Sequence, residues 1–186
     1  MTSVSLTKKT YILYNNDNNL NKFYEEDNMF SFFKKKKKNT ADAYAKGKFV
    51  PITEVPDPIF SEKMMGDGVA ILVEGDTIYS PVDAKITMIA PTFHAIGLTL
   101  DSGMELLIHI GLETVALNGD GFTPLVKAND TVTKGTPLMK IDLETMKKNN
   151  LELYTPLIVL NYQDHPFTDI HKSEEVNVGD PLIQID

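Results

Sequence analysis

The chain contains no cysteine. Disulfide bonds, zinc–thiolate sites and a thiol nucleophile are therefore excluded. It also contains no arginine, because all 18 basic residues are lysine. Without a guanidinium group, no side chain can grip a phosphate or a carboxylate through two parallel hydrogen bonds. Any phosphate bound here must be held without such a guanidinium fork.

Long hydrophobic runs are absent as well. No stretch approaches the roughly 18 to 20 apolar residues of a membrane-spanning helix, and the N-terminus lacks the apolar core and cleavage site of a secretory signal. We therefore expect a cytoplasmic protein. The net charge of −8 argues against a nucleic-acid partner, because such binding depends on clustered positive charge.

The charge distribution predicts a tail, residues 1–45, and one domain, residues 46–186. The tail carries a net charge of +3 and the domain −11. The Asn-rich run YNNDNNLNKFYEEDN favours disorder. Residues 29–38 (MFSFFKKKKK) are a candidate segment for weak contact with the inner membrane surface, and a solvated charge run is the alternative. Because Met29 opens this motif, we hypothesise that residues 1–28 are an upstream extension.

The pattern of apolar runs and turn residues in the domain is typical of an all-β protein. Short apolar runs such as VAILVEG, AKITMIAP, MELLIHIG and YTPLIVLN lie between Gly, Pro and Asp clusters. Brief helices are expected near PDPIFSEKM, GLETVAL and DLETMKKN. The segments VTKGTPLMKID (132–142) and VNVGDPLIQID (176–186) share V-x-x-G-x-P-L-x-x-I-D, which indicates internal duplication. We predict an antiparallel β-sandwich or barrel with a few short helices and a disordered N-terminal tail.

Two strands flanking Asp101-Ser102-Gly103 each carry a histidine, in TFHAIGLTLDSGMELLIHIG. A two-residue turn would place His94 opposite His109, on one face of the sheet. If Gly103 forms a left-handed bulge, the register slips by one and the rings must meet diagonally. The sequence leaves both registers open.

Adjacent imidazoles disfavour each other's protonation, so at least one should remain neutral near neutral pH. Two chemistries fit such a pair. One is metal binding, which normally needs a third protein ligand, and the other is phosphoryl transfer through a phosphohistidine. A phosphoryl group passed between proteins mainly needs placement and charge stabilisation, so no cofactor is required.

The block H-A-x-G-x-x-x-D-S-G-x-E-x-L-x-H-x-G, with VPDPIFSEKMMGDGVAI, SPVDAKITMI and TPLIVLN, resembles the glucose-type enzyme IIA domain of the bacterial phosphoenolpyruvate-dependent sugar phosphotransferase system. The resemblance covers residues 45–186. It implies that His109 accepts a phosphoryl group on Nε2 from the carrier HPr and passes it to a cysteine of an EIIB domain of a sugar permease. It further implies that His94 steadies the phosphoryl group and that Thr92 belongs to the same pocket. Glu113 stands where the family commonly has Asp, which puts the reach of its carboxylate in doubt.

Four residues near the pair are candidates for partner binding. Phe60, Leu107 and Val115 can form a dry rim for protein partners, or each can belong to the core. Gly111 follows His109, where a missing side chain lets a partner approach and leaves backbone N–H groups open for phosphoryl oxygens. Strand termination is the alternative reading of Gly111.

Two other functions compete with this one, and the resemblance implies a regulatory role in addition to it. A zinc-dependent hydrolase of the duplicated-barrel type would use the His94/His109 pair with a partner carboxylate, and zinc at an interface with a partner is a related expectation. A biotinyl or lipoyl carrier would modify Lys140, although Lys140 lies inside an apparent strand. A regulatory module would bind transporters or metabolic enzymes according to its phosphorylation state. His165 and His171 are expected to be surface residues, and the sequence names neither the sugar nor the permease.

Overall fold

The computed structural model describes residues 10–14, 20–25 and 39–185. The chain divides into two compact units, Met1–Lys38 and Asn39–Asp186. In the first unit, strands β1 (Thr10–Tyr14) and β2 (Leu20–Glu25) pair antiparallel. The prediction of an unpacked Asn-rich tail did not include this hairpin. The candidate membrane-surface segment 29–38 lies outside the described residues.

The second unit is built on one large antiparallel sheet. Its eight strands are β4 (Gly47–Pro51), β5 (Asp67–Val73), β7 (Ala84–Ile89), β8 (Ala95–Thr99), β9 (Glu105–His109), β11 (Thr131–Val132), β13 (Tyr154–Val159) and β15 (Glu175–Val176). Their spatial order is β11-β7-β8-β9-β13-β5-β4-β15. Neighbouring strands are joined by antiparallel ladders throughout.

Two three-stranded antiparallel sheets complete this unit. One contains β10 (Phe122–Pro124), β12 (Pro137–Ile141) and β6 (Thr77–Tyr79), in that order. The other contains β14 (Phe167–Asp169), β16 (Pro181–Ile185) and β3 (Thr40–Asp42). The main apolar core joins side chains of all three sheets, including Ile78, Leu106 and Leu182. The prediction of an antiparallel all-β fold is confirmed.

The duplicated segments have the same local structure. Each begins with a two-residue strand, β11 or β15, turns at a glycine with positive φ (Gly135, +83°; Gly179, +92°) and continues into a five-residue strand, β12 or β16. Both long strands are the middle strand of a three-stranded sheet, and each carries a register shift just after its leading proline. The internal duplication read from the sequence is therefore present in the fold.

The folded unit begins before residue 46, the predicted boundary. Strand β3 pairs with β16, and Ala41 and Tyr44 are completely buried in the main core. The lysine run ends at Lys38, and the residues that follow it already belong to the folded unit. The tail boundary taken from charge was therefore placed too late.

Helical structure is brief, as predicted. Within residues 39–185, two α-helices and two 3-10 helices interrupt the strands: α1 (Pro58–Ser61), α2 (Leu143–Lys148), Ile52–Glu54 and Thr114–Leu117. The Asp57 and Asp142 carboxylates cap α1 and α2 by accepting backbone N–H bonds, which satisfies donors that a helix start leaves free. Within the described ranges, no helix has the length and apolar character needed to cross a bilayer.

A second, smaller apolar cluster covers the outer face of the large sheet. In β9, Leu106 and Ile108 face the main core, while Leu107 between them belongs to the second cluster. That cluster also contains Phe60 from α1 and Ile158 from β13. The side chains of this strand therefore alternate between the two faces of the sheet, which places His109 on the face that α1 covers.

Candidate active site

The hairpin that carries both histidines has the slipped register. Leu100 exchanges hydrogen bonds with Met104 and Gly103 around a three-residue loop, and Gly103 has φ of +88°. Ala95, rather than His94, is therefore the partner of His109, and the His94 carbonyl accepts the Ile110 N–H at 2.7 Å. Of the two registers left open by the sequence, the structure has the glycine bulge.

The two imidazoles nevertheless meet. Their ring centroids are 5.1 Å apart with an interplanar angle of 67°. His94 lies just before β8, and Phe93 ahead of it has φ of +60°, a left-handed conformation that is costly for an aromatic residue. Because His94 is outside the regular strand, its side chain is not bound to the face that strand alternation assigns to it. Both rings are half-buried and reach the surface.

The Nδ1 atom of each ring has a hydrogen-bond partner. His109 Nδ1 lies 2.9 Å from the Gly111 carbonyl oxygen, and His94 Nδ1 lies 2.6 Å from Thr92 Oγ1. A carbonyl can only accept, so His109 Nδ1 must carry the proton and its Nε2 must present a lone pair when the ring is neutral. The Thr92 hydroxyl can donate or accept, so it is compatible with either tautomer of His94. Thr92 is thus in direct contact with His94.

Electrostatics favour the neutral rings. Burial lowers the pKa of His109 below its ordinary value, and the neighbouring His94 lowers it further, against smaller opposing effects of the Gly111 carbonyl and Asp57. Burial also lowers the pKa of His94. At neutral pH both imidazoles are therefore uncharged, which leaves His109 Nε2 available as a nucleophile or a ligand.

An aromatic ring supports the pair from beneath. The Phe60 and His109 ring centroids are 5.1 Å apart, and Phe60 is only 3% exposed. Helix α1 positions this ring, because Pro58 opens the helix and the Asp57 cap fixes its start. The His109 ring therefore packs on the apolar ring of Phe60 and remains half-buried.

This geometry can be set beside known proteins. The family model of the phosphoenolpyruvate-dependent sugar phosphotransferase system, EIIA 1, matches residues 39–165. This chain belongs to that family.

Relatives agree with this assignment. A glucose-specific EIICBA component of the phosphotransferase system from Staphylococcus carnosus is 48% identical over 140 residues, which is 75% of this chain and 21% of the relative. A glucoside-specific EIICBA component from the same organism is 47% identical over 139 residues, 75% of this chain and 20% of that relative. The chain thus spans about a fifth of these curated relatives.

A solved EIIA structure has the same architecture. Glucose permease IIA from Mycoplasma capricolum superposes with a TM-score of 0.74 at 35% identity, covering 79% of this chain and 95% of the other. The β-sandwich expected from the sequence is therefore the EIIA fold. None of these similarities favours the zinc-hydrolase alternative.

The predicted partner rim is only partly at the surface of this EIIA domain. Val115 is 52% exposed, whereas Phe60 is 3% exposed, Leu107 7% exposed and Gly111 also buried. Phe60 and Leu107 form the floor of the site within the second apolar cluster. Their apolar character came from packing on the sheet, so the rim prediction was wrong for these two residues.

Gly111 has a different role from the one predicted. Its N–H donates to Thr155 Oγ1 at 3.3 Å and is therefore not open for phosphoryl oxygens. Its φ is +72°, and a Cβ placed there would lie 2.6 Å from Thr114 Cγ2. Glycine is required because the backbone is left-handed here and passes too close to Thr114 for a side chain. The Gly111 carbonyl is the acceptor for His109 Nδ1.

A carboxylate that the motifs did not indicate, Asp57, has a small electrostatic effect on His109. Asp57 favours the charged form of His109 and is half-buried at the start of α1. Glu113 is exposed, has φ of +57°, and its carboxylate caps no N–H of the 3-10 helix that follows. The motif Pro56-Asp57-Pro58 signals a helix start, but nothing in its spacing indicates a neighbour more than 50 residues away along the chain.

Other candidate groups lie apart from the pair. Across the described residues, no group of three or more His, Asp or Glu side chains could hold a metal ion. Lys140 lies within β12 between Thr123 and Thr77, so it does not occupy the hairpin tip that a biotinyl or lipoyl carrier needs. His165 and His171 are half-buried rather than fully exposed, and His171 packs on Phe49 with ring centroids 5.1 Å apart.

Proposed function

We propose that this EIIA domain carries a phosphoryl group on His109 Nε2 during phosphotransferase-dependent sugar uptake. The observation that supports this most is the hydrogen bond between His109 Nδ1 and the Gly111 carbonyl. It fixes the proton on Nδ1 and directs the lone pair of Nε2 away from the backbone. The lowered pKa of His109 keeps that lone pair free at neutral pH.

The transfer requires no group beyond the two imidazoles and a phosphorylated donor. The lone pair of His109 Nε2 forms a bond to phosphorus in line with the breaking P–N bond of phospho-HPr, and the electron pair of that bond returns to the HPr imidazole. The phosphorylated His109 ring keeps its proton on Nδ1, where the Gly111 carbonyl continues to accept it. The backbone therefore stabilises the positive charge of the ring in the product.

His94 is suited to bind the transferred group. If the Thr92 hydroxyl donates to His94 Nδ1, the ring carries its proton on Nε2 and can donate it to a phosphoryl oxygen. With no arginine in the chain, an imidazole donor of this kind supplies the charge stabilisation. Membership of the EIIA family implies that the group then passes to a cysteine of an EIIB domain, a thiol that this sequence does not contain.

Phosphorylation by purified components tests the proposal. The chain is mixed with phosphoenolpyruvate, enzyme I and HPr, and we expect acid-labile phosphate at a stoichiometry near one, located at His109 by mass spectrometry. His109→Gln should remain unlabelled, while His165→Gln, a change at a half-buried histidine elsewhere, should be labelled like the parent. Full labelling of His109→Gln would contradict the assignment of the acceptor.

The cellular location, metal content and regulation of the domain are further parts of the proposal. We propose that the domain works in the cytoplasm, with residues 29–38 making weak contact with the inner membrane surface. Zinc at an interface would need ligands from the partner as well as from the described part of this chain. Binding of transporters or metabolic enzymes according to phosphorylation state is proposed as an added regulatory role, and the sugar is set by the permease.

A further inference from the structure

The carbonyl that fixes the His109 tautomer belongs to a turn held by two buried hydroxyls. We propose that Thr155, with Thr114, positions His109 by anchoring the peptide between Ile110 and Gly111. This inference rests on the proposed function, because it concerns how the same imidazole is prepared for transfer. Neither threonine needs to contact the phosphoryl group, so both are positioning residues.

Thr155 replaces a backbone partner at the point where β9 leaves the sheet. The ladder between β9 and β13 covers Leu106 to Ile108, and the chain then turns away at Gly111. There the Gly111 N–H donates to Thr155 Oγ1 at 3.3 Å instead of to a strand carbonyl. The Thr155 hydroxyl donates its own proton to the Leu153 carbonyl at 3.0 Å, so its lone pairs are left to face Gly111.

Thr114 holds the other side of the same peptide. Its Oγ1 donates to the Ile110 carbonyl at 2.7 Å. The N–H and the C=O of the Ile110–Gly111 peptide are therefore both bonded to side-chain hydroxyls. The orientation of this peptide fixes φ of Gly111 and so limits the directions in which the Gly111 carbonyl can point. That carbonyl accepts from His109 Nδ1 at 2.9 Å.

Burial shows that these hydroxyls are selected for bonding rather than for packing. Among the described residues, four buried side chains are polar: Thr77, Ser80, Thr114 and Thr155. The two with no exposure at all, Thr114 and Thr155, are the two that hold the Ile110–Gly111 peptide. Valine has nearly the same shape and would avoid the cost of burying a hydroxyl, so the hydroxyl is useful only for its hydrogen bonds.

Tyr44 braces Thr155 from behind. Its hydroxyl donates to the Thr155 carbonyl, and the ring is completely buried in the main core. Burial also raises the pKa of Tyr44 well above its ordinary value, so the phenol stays protonated and remains a donor. Hydrogen bonds therefore connect Tyr44, which follows β3, through Thr155 in β13 to the turn at Gly111 beside His109.

The decisive measurement is the tautomer of His109 in the unphosphorylated chain, read from the ring 15N chemical shifts. The parent should show the Nδ1–H form. In Thr155→Val, the Gly111 N–H loses its acceptor, and we expect a measurable fraction of the Nε2–H form and a changed His109 pKa. Phosphoryl acceptance from phospho-HPr should slow about fivefold to tenfold, a factor that corresponds to roughly 1 to 1.4 kcal/mol. Thr155→Ser, which keeps the hydroxyl, should restore both readouts.

The matched control is Thr77→Val. Thr77 is a buried strand threonine whose Oγ1 bonds to Asp76 at 2.8 Å, in a different sheet from His109. This variant should leave the tautomer and the transfer rate unchanged even if it lowers stability. If Thr155→Val does not fold, Thr114→Val tests the other anchor by the same two readouts.

Three results would overturn the proposal. The first is a folded Thr155→Val chain that has the 15N shifts and the phosphorylation rate of the parent, and the second is a Thr155→Ser chain that restores neither of them. The third is a Thr77→Val chain that shows the same change of His109 tautomer as Thr155→Val. The tautomer measurement uses no HPr. If HPr fails to phosphorylate the parent chain, the proposed function fails, yet the 15N comparison still decides whether Thr155 positions His109.

Discussion

Replacing Gly111 by alanine should destabilise the domain far more than the same change at Gly135. The two glycines have similar backbone conformations, with φ of +72° and +83°. They differ in the space around the added methyl group. At Gly111 the new Cβ would lie 2.6 Å from Thr114 Cγ2 and 3.1 Å from Leu153 Cδ2, whereas at Gly135 no atom lies within 4 Å.

The comparison separates two contributions to the free energy of unfolding. A left-handed alanine costs about 1–2 kcal/mol, and this strain applies at both positions. Forcing a methyl group into a packed site costs about 1–3 kcal/mol more, and this applies only at Gly111. We therefore expect a loss of about 2–5 kcal/mol for Gly111→Ala and about 1–2 kcal/mol for Gly135→Ala.

Urea unfolding followed by far-UV circular dichroism measures the difference, because the chain has no tryptophan to report by fluorescence. For a domain of this size, each kcal/mol also corresponds to about 2–4 °C in Tm. Equal losses at the two positions would refute the reasoning, since they would mean that the surroundings of Gly111 yield to a methyl group without cost. A larger loss at Gly135 would refute it as well.

Three further predictions concern the histidines and their support. His94→Gln should still accept phosphate on His109 but pass it on more slowly to an EIIB domain, and the His109 pKa should rise because the repulsion from His94 is gone, as NMR titration can show. The pKa of each histidine is lower in the folded state than in the unfolded state, so below about pH 6.5 the unfolded state binds more protons than the folded one. The free energy of unfolding should therefore fall as the pH drops from there through the pKa values of the folded state. A double His94→Gln, His109→Gln variant whose urea midpoint has the same dependence on pH as the parent would contradict this. Tyr44→Phe should cost about 1–2 kcal/mol in the same urea assay, because the Thr155 carbonyl loses a buried donor, and an unchanged midpoint would show that this bond contributes nothing.

Strand alternation and turn residues made much of the fold predictable. Leu106 and Ile108 on one face, with Leu107 and His109 on the other, follow from the two-residue period of a strand. The duplicated segments were predictable because Gly135 and Gly179 mark equivalent turns. Both kinds of signal are local, and local signals survive in a single sequence.

What could not be predicted depends on backbone conformation and on distant contacts. Whether Gly103 would adopt a positive φ decided the hairpin register, and a glycine permits either conformation. The left-handed Phe93 that turns His94 toward its partner breaks the usual preference of an aromatic residue, so no propensity indicates it. Thr155 meets Gly111 across 44 residues, and in the sequence it is simply one threonine at the start of an apolar run.

The repeated hairpin has a consequence at the two borders of the large sheet. Both outermost strands, β11 and β15, have just two residues, and each belongs to one copy of the repeat. Strands this short offer little unpaired backbone for another chain to extend. Doubling the motif therefore limits edge-to-edge pairing at both borders of the large sheet.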